Sequence, residues 1–285
     1  MLGATWTVRE VLNWTRGYFE SGGIVQPRLE AEILLAHSLD VDRLHLYLAP
    51  DKPLSSEERH CFRELVKRRH AGEPLQHLTG EVSFFGLRFR VDPRALVPRP
   101  ETEELVDNAL RLTPRDRATR CIDLGTGTGV IAVCLARFLP QASVTAVDVS
   151  AEALALARAN ATLNGVDDRI SFAASDWFAD VDGRFDLIVS NPPYVPAPEI
   201  AELPAEVRDH EPRVALDGGD DGLTAIRALA DGAVEHLESG GTLLLEVGHH
   251  QAPAVAALLR EIGLDDVETR GDFAGKERFV IARCP

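Results

Sequence analysis

From Arg120 onward the chain alternates short apolar runs with helix-type stretches, and this alternation restricts the folds open to it. Cys121–Leu124 reads as a strand, Thr128–Leu139 as a helix, Ala142–Val147 as a strand and Ala151–Leu163 as a helix. Ile170–Ala173 and Phe185–Ser190 read as the third and fourth strands. Beyond an irregular stretch come a helix over Gly222–Leu237, a strand over Thr242–Val247, a helix over Ala252–Glu261, and strand candidates around Val267 and over Phe279–Ala282. The pattern predicts an α/β fold with a mostly parallel, doubly wound sheet whose last strand pairs antiparallel.

The fourth strand stops abruptly at Asn191-Pro192-Pro193-Tyr194. Proline lacks the N–H that a sheet ladder needs, and each proline holds the residue before it extended, so the backbone leaves the strand in one stiff shape. That shape lets the side-chain oxygen of Asn191 and the main-chain carbonyl of Pro192 face a cleft, with the ring of Tyr194 as one wall. Two fixed acceptors beside an aromatic suit a planar group that carries an NH2. Read alone, the four residues are equally a strand followed by a proline turn.

Asp123-Leu124-Gly125-Thr126-Gly127-Thr128-Gly129 joins the first strand to its helix, and glycines at alternate positions let a ligand approach the amides at the helix start. The dinucleotide fingerprint needs a third glycine three residues after the second, where this chain has Val130, and no Lys-Ser/Thr pair follows to make a phosphate loop. The second strand ends at Asp148, placed where an acid accepts hydrogen bonds from ribose hydroxyls. The third leads to Ser175-Asp176-Trp177, a carboxylate and an aromatic face able to hold a nucleobase edge and plane. Each acid alone could be a helix cap. Together they fall at successive strand ends on the rim where Asn191 stands, and ligands of such sheets bind at that rim.

Upstream, residues 6 to about 72 read as helices, one from Val8 to a stop at Gly22-Gly23, one over Pro27–Leu39, and one opened by Ser55-Ser56-Glu57-Glu58 and closed by Lys67-Arg68-Arg69-His70 and Gly72. The basic run reads as a solvated helix end. Between Gly80 and Val91 the pattern becomes alternating, two strands around a glycine turn. Pro98 and Pro100 then stiffen the approach to a helix over Glu101–Leu112. The domains expected are a helical unit over 1–78, a β-hairpin linker over 79–96 and the α/β domain over 97–285.

The formal charge of -15 is placed unevenly: residues 1–120 are neutral and the deficit lies in 121–285. A strongly acidic domain repels a phosphate backbone, which speaks against direct nucleic-acid binding. Cys61, Cys121, Cys134 and Cys284 have no metal-type or redox-type spacing and are expected to be buried thiols. Side chains of the adjacent pair His249-His250 diverge, and no carboxylate or cysteine cluster joins them, so no metal is assigned. The sequence has no apolar run long enough for a membrane span, and its start, Met1 to Trp6, lacks a basic segment followed by an apolar core. A soluble, cytoplasmic monomer is expected.

The glycine loop, Asp148 and Asn191-Pro192-Pro193-Tyr194 together resemble the class I S-adenosylmethionine-dependent methyltransferases that modify planar amino groups. More narrowly, the chain resembles the HemK/PrmC family of protein N5-glutamine methyltransferases, through Pro74 to Gly80, Pro98-Arg99-Pro100-Glu101-Thr102-Glu103, Ala215-Leu216-Asp217-Gly218-Gly219 and Asp272-Phe273-Ala274-Gly275. The resemblance implies a Rossmann-like, mostly parallel seven-stranded sheet behind a small all-helical domain and a linking hairpin. It implies methyl transfer from S-adenosylmethionine to the glutamine of the Gly-Gly-Gln loop of class I peptide chain release factors, in support of translation termination. The helical unit would help to dock that protein. By the same resemblance Gly125, Thr126, Gly127, Thr128, Gly129, Asp148, Asp176, Trp177 and Asn191 hold the cofactor. Asn191 and Pro192 would bind the glutamine amide as the catalytic pair, with Pro193 and Tyr194 beside them. His210 stands where many relatives carry a tyrosine.

Two rivals share these residues. One is the same fold acting on a ribosomal-protein glutamine or on an exocyclic amine of adenine or guanine, for which a basic groove is expected. The other is a non-catalytic scaffold, which would have no need of Asn191 or the glycine loop.

Overall fold

A computed structural model describes residues 6–285; the amino-terminal stretch read above for a leader lies outside the described residues except for Trp6. The chain forms two compact units, one running to Gly80 and taking in Ala205–His210, the other comprising Glu81–Pro204 and Glu211–Pro285.

In the first unit, α1 (Val8–Ser21), α2 (Pro27–Ser38), α3 (Arg43–Leu48), α4 (Ser56–His70) and α5 (Leu75–Thr79) surround an apolar centre that includes Phe19, Leu34, Leu35 and Phe62. Reciprocal capping boxes, Thr7 with Glu10 and Ser55 with Glu58, start α1 and α4. α3 and α5 are single short turns of helix, too brief for a periodic signal. The basic run at the end of α4 is a solvated end only in part, at the exposed Lys67 and Arg68. Arg69 is buried, donates to Glu30 and pairs with Glu206 at 2.8 Å, while Arg68 pairs with Glu73 and His70 stacks on Tyr18. Glu206 lies on the short helix Ala205–Arg208, far away in sequence, which the local pattern of charges could not reveal. His210 also belongs to this unit and lies beside Gly72.

The second unit opens with β1 (Glu81–Phe84) and β2 (Leu87–Arg90), an antiparallel pair turned by Phe85 and Gly86, both at positive φ as a two-residue hairpin turn requires. Then follow α6 (Pro100–Leu112), β3 (Thr119–Leu124), α7 (Val130–Phe138), β4 (Ala142–Asp148), α8 (Ala151–Leu163), β5 (Ile170–Ala174) and β6 (Phe185–Ser190). After the short helix α9 (Ala205–Arg208) of the first unit come α10 (Thr224–His236), β7 (Leu237–Glu246), α11 (Ala252–Glu261), β8 (Asp265–Gly271) and β9 (Glu277–Arg283). The large sheet has seven strands in the order β5-β4-β3-β6-β7-β9-β8, parallel except for β9, which runs antiparallel to both neighbours.

Successive residues of the central strands alternate between two apolar layers. Cys121, Val144, Leu187 and Leu244 face α6, α7 and α8, whereas Ile122, Val147, Ile188 and Leu243 face α10 and α11. Burial on both faces is why these strands read as continuous apolar runs. Cys121 and Cys134 are buried as expected, but Cys61 is exposed on α4 and Cys284 is only half-buried. Among the described residues no helix is long and apolar enough to cross a membrane, and no cluster of three metal-ligating side chains occurs.

Candidate functional site

The register of the parallel strands gathers the predicted residues. Leu124 pairs with Val147 on one side and with Ser190 on the other, and Asp148 pairs with Ala174. The glycine loop, Asp148, Asp176-Trp177 and Asn191 therefore leave the sheet at one level. The strand order also reverses there, β4 and β5 lying to one side of β3 and β6 to the other, which opens a crevice at the strand ends. A cleft of about 650 Å³ occupies that place, within the range of small-molecule sites.

Of the predicted residues, Gly125, Thr126, Gly127, Thr128, Asp148, Asp176, Trp177, Asn191 and Pro193 line the cleft. Gly129, Pro192 and Tyr194 do not. Gly129 is the N-cap of α7 at φ 82°, and a Cβ there would come within 2.9 Å of that of Ala157, so it serves the close packing of α7 on α8. Its left-handed conformation also explains why α7 begins at Val130 rather than Thr128. Pro192 is buried. Tyr194 is half-buried and packs against the apolar layer that includes residues of α10 and α11, and burial pushes its phenol up to about 12.

The loop itself is tied at several points. Gly127 donates its N–H to Asp148 Oδ2 at 2.9 Å, Ser150 donates to Oδ1 at 2.9 Å, and Thr126 donates to the carbonyl of Val147 at 2.8 Å. A carboxylate has about four acceptor sites, so Asp148 keeps capacity for two further donors such as a vicinal diol. The ring of Trp177 lies over Gly125, where a built Cβ would meet it at 3.5 Å. Trp177 itself sits at φ 51°, a left-handed conformation that costs a bulky residue roughly 1–3 kcal/mol and is found mainly at functional sites. The backbone approach at Gly125, the spare acceptors of Asp148 and the aromatic face of Trp177 fit a nucleoside with a flat base.

Below the loop, Asp123 is wholly buried. Its Oδ2 accepts from Thr126 Oγ1 at 2.6 Å and from the N–H of Ala132 at 3.1 Å, and its Oδ1 has no partner among the described residues. Burial pushes its carboxyl up to about 7.

Sequence reasoning missed the partners of Asn191. Asn191 Nδ2 donates to Thr102 Oγ1 at 3.0 Å, and Thr102 Oγ1 donates to Glu246 Oε2 at 2.9 Å. Glu246, at the end of β7, is 1% exposed, and burial pushes it up to about 7. An acid following Leu243-Leu244-Leu245 was the available signal, because a charge at the end of a buried strand demands partners. Arg99 was also missed as a wall residue. One of its terminal nitrogens, Nη2, donates to both oxygens of Glu211, each at 2.8 Å. The segment after Tyr194 is held by Ala215-Leu216-Asp217-Gly218-Gly219: Val195 donates to the carbonyl of Leu216, Gly218 to that of Val195, and Ala197 to that of Gly219. Gly222, at φ 77°, lies so close to the Tyr194 carbonyl that a Cβ would collide with it.

Comparison with known proteins agrees with this geometry. Residues 10–80 match the family model described as PrmC N-terminal domain, and residues 104–203 match Methyltransferase small domain. The release factor glutamine methyltransferase of Geobacter sulfurreducens is 46% identical over 279 residues, covering 98% of this chain and 97% of that one. That of Deinococcus radiodurans is 44% identical over 276 residues, covering 97% and 98%. Among solved structures, a methyltransferase from Pyrococcus furiosus aligns with a TM-score of 0.53 at 22% identity, over 70% of this chain and 89% of that chain, which shows the shared fold. The chain belongs to the release factor glutamine methyltransferase family.

Proposed function

We propose that the protein transfers a methyl group from S-adenosylmethionine to the side-chain amide nitrogen of the glutamine in the Gly-Gly-Gln loop of class I release factors. The observation that carries this reading is the position of Asn191. Its Oδ1 makes no hydrogen bond within the described residues and stands on the wall of the cleft that also holds the glycine loop and Asp148.

S-adenosylmethionine, when bound, supplies a methyl group on a sulfonium, an electrophile with a good leaving group. The residues that would hold it are the backbone of Gly125 to Thr128, Asp148 for the ribose hydroxyls, and Asp176 with Trp177 for the adenine. A carboxamide nitrogen is a weak nucleophile, because its lone pair is delocalised into the carbonyl. The protein's task is therefore alignment. Asn191 Oδ1 and the carbonyl of Pro192, which lies between two wall residues, would each accept one hydrogen of the glutamine amide. Two acceptors there fix the direction of the nitrogen and favour the positive charge that develops on it during transfer, an electrostatic preorganisation.

The walls suit a protein side chain better than a nucleic acid. Asp148, Asp176 and Asp217 line the cleft, while its arginines are already engaged, Arg94 with Asp92 and Arg99 with Glu211. A phosphate backbone would meet acids without free cations.

Mass spectrometry of a purified release factor incubated with the protein and S-adenosylmethionine tests the reading, beside a ribosomal-protein and a DNA control. One added methyl on the Gly-Gly-Gln glutamine is expected. Methyl on a control alone would overturn the substrate, and no transfer with the cofactor bound would favour a scaffold.

A further inference from the structure

The hydrogen bonds behind Asn191 run in one direction only. A carboxylate accepts and never donates, whereas a threonine hydroxyl has one proton to give. With Thr102 Oγ1 donating to Glu246 Oε2, the oxygen of Thr102 is left to accept, and Asn191 Nδ2 fills that role at 3.0 Å. Turning the Asn191 amide over would set its oxygen against the oxygen of Thr102. All three groups lie in the second unit, with Thr102 on α6, Asn191 just after β6 and Glu246 at the end of β7, and Thr102 and Glu246 are buried.

We propose that Thr102 and Glu246 are positioning residues that fix the polarity of the Asn191 amide, so that its oxygen and not its NH2 faces the cleft. This rests on the reading that Asn191 accepts a hydrogen of the target amide. An NH2 at that place would oppose the NH2 of the substrate. Glu246 thus acts, through the Thr102 hydroxyl, on the cleft-facing oxygen of Asn191, an atom it does not touch.

The charge of Glu246 must be kept in its buried place for the direction to hold. Burial raises its carboxyl and the charge of Glu101 on α6 adds to this, whereas the hydrogen bond from Thr102, Arg278 on β9 and the neighbouring Asn191 amide oppose it. Tyr194 is a further titratable neighbour, and it is neutral because burial raises its phenol. The test is therefore run at pH 8, above the value of about 7.

Three variants decide it: Glu246→Gln, which puts a donor in place of one acceptor oxygen at nearly constant shape; Thr102→Val, which removes the hydroxyl; and Thr102→Ser, which restores it. Turnover and KM are measured with the release factor, cofactor affinity by calorimetry, and solvent exchange of the Asn191 side-chain NH2 by NMR in the free protein. Glu246→Gln and Thr102→Val should lower kcat by roughly 10²-fold, the size of effect seen when one preorganised group is lost. Cofactor affinity should change by less than about threefold, far below the effect on kcat. Thr102→Ser should recover most of what Thr102→Val loses. The NH2 of Asn191, sheltered in the wild type, should exchange roughly tenfold faster in Glu246→Gln, as expected for a group moved from a hydrogen bond to water. Wild-type kcat together with unchanged exchange in Glu246→Gln would overturn the proposal. Should that variant not fold, equal activity of Thr102→Val and Thr102→Ser would overturn it instead. If the wild type transfers no methyl to the glutamine, the functional reading fails, yet the exchange comparison still decides the direction of the amide.

Discussion

The carboxylate of Asp148 accepts the backbone N–H of Gly127 at 2.9 Å, which ties the end of β4 to the loop leaving the neighbouring strand β3. The acid therefore has two tasks: it holds the loop in shape with one oxygen and Ser150 with the other, and it presents its remaining lone pairs to the cleft. Asp148→Asn cannot do both, because the two backbone donors bind different oxygens of the carboxylate and one of them would meet an NH2 instead. We expect S-adenosylmethionine affinity to fall by roughly 10²-fold, as when a pair of hydrogen bonds to a charged acceptor is lost. The midpoint of thermal unfolding without ligand should fall as well, by a few degrees, because one backbone donor loses its charged acceptor. Titration calorimetry and thermal melts separate the two effects; full affinity in the variant would remove Asp148 from the site.

Arg99 and Glu211 give a second test. The side chain of Glu211 is 1% exposed and that of Arg99 is 33% exposed, so the pair is buried on the acid's side and wetted on the other. Removing one partner of a fully buried pair costs about 3–5 kcal/mol, and the solvent at Arg99 reduces this, so Arg99→Met is expected to cost about 2 kcal/mol. Because Arg99 lines the cleft and Glu211 precedes the segment that packs against Val195, KM for the release factor should rise as well. Denaturant unfolding beside steady-state kinetics checks both.

The strands, their order of appearance and the loop of glycines could be read from local sequence, because buried parallel strands and alternate glycines are short-range patterns. The partners of the site could not. Thr102 meets Glu246 across 144 residues and Arg99 meets Glu211 across 112, and a threonine within a helix carries no local mark of such a bond. Tyr194 shows the converse. Its ring, expected on the wall of the cleft, is half-buried against the apolar layer that includes α10 and α11, because a large apolar surface gains more from burial than from a wetted wall. Arg69, read as part of a solvated helix end, is buried because Glu30 and Glu206 approach it from other parts of the chain.

Asn160 is wholly buried on α8 and makes three hydrogen bonds that join the hairpin to the start of α7. Its Oδ1 accepts from the N–H of Arg90 at 2.7 Å, and its Nδ2 donates to the carbonyls of Arg90 at 3.0 Å and Thr128 at 2.9 Å. Asn160→Ala leaves these backbone groups without partners and is expected to destabilise the protein by about 2–4 kcal/mol. Hydrogen exchange should find the amide of Arg90 opening faster than those of the central strands. An unchanged rate there would show that the hairpin is held by its apolar contacts alone.

The last prediction concerns Asp123, whose carboxyl burial pushes from an ordinary 3.8 up to about 7. In the unfolded chain the group ionises near its ordinary value, whereas in the fold it keeps its proton longer. Below about pH 4 both states are protonated and the group's stabilising contribution is complete. As the pH rises from there to about 7, the unfolded state gains by ionising and the fold does not, so stability is lost at about 1.4 kcal/mol per pH unit and levels off above 7. Asp123→Asn has no proton to lose. Its stability relative to the wild type should therefore climb between about pH 4 and 7 by an amount on the order of 4 kcal/mol, whatever constant offset the new amide introduces beside the partnerless position of Oδ1. Taking the difference between the two proteins cancels the many surface carboxylates, several of which are shifted the opposite way by ion pairs such as Asp221 with Arg227. Urea unfolding of both proteins at pH 4, 5, 6, 7 and 8 measures the curve, and a difference that stays flat across this range would mean that Asp123 is ionised in the fold throughout.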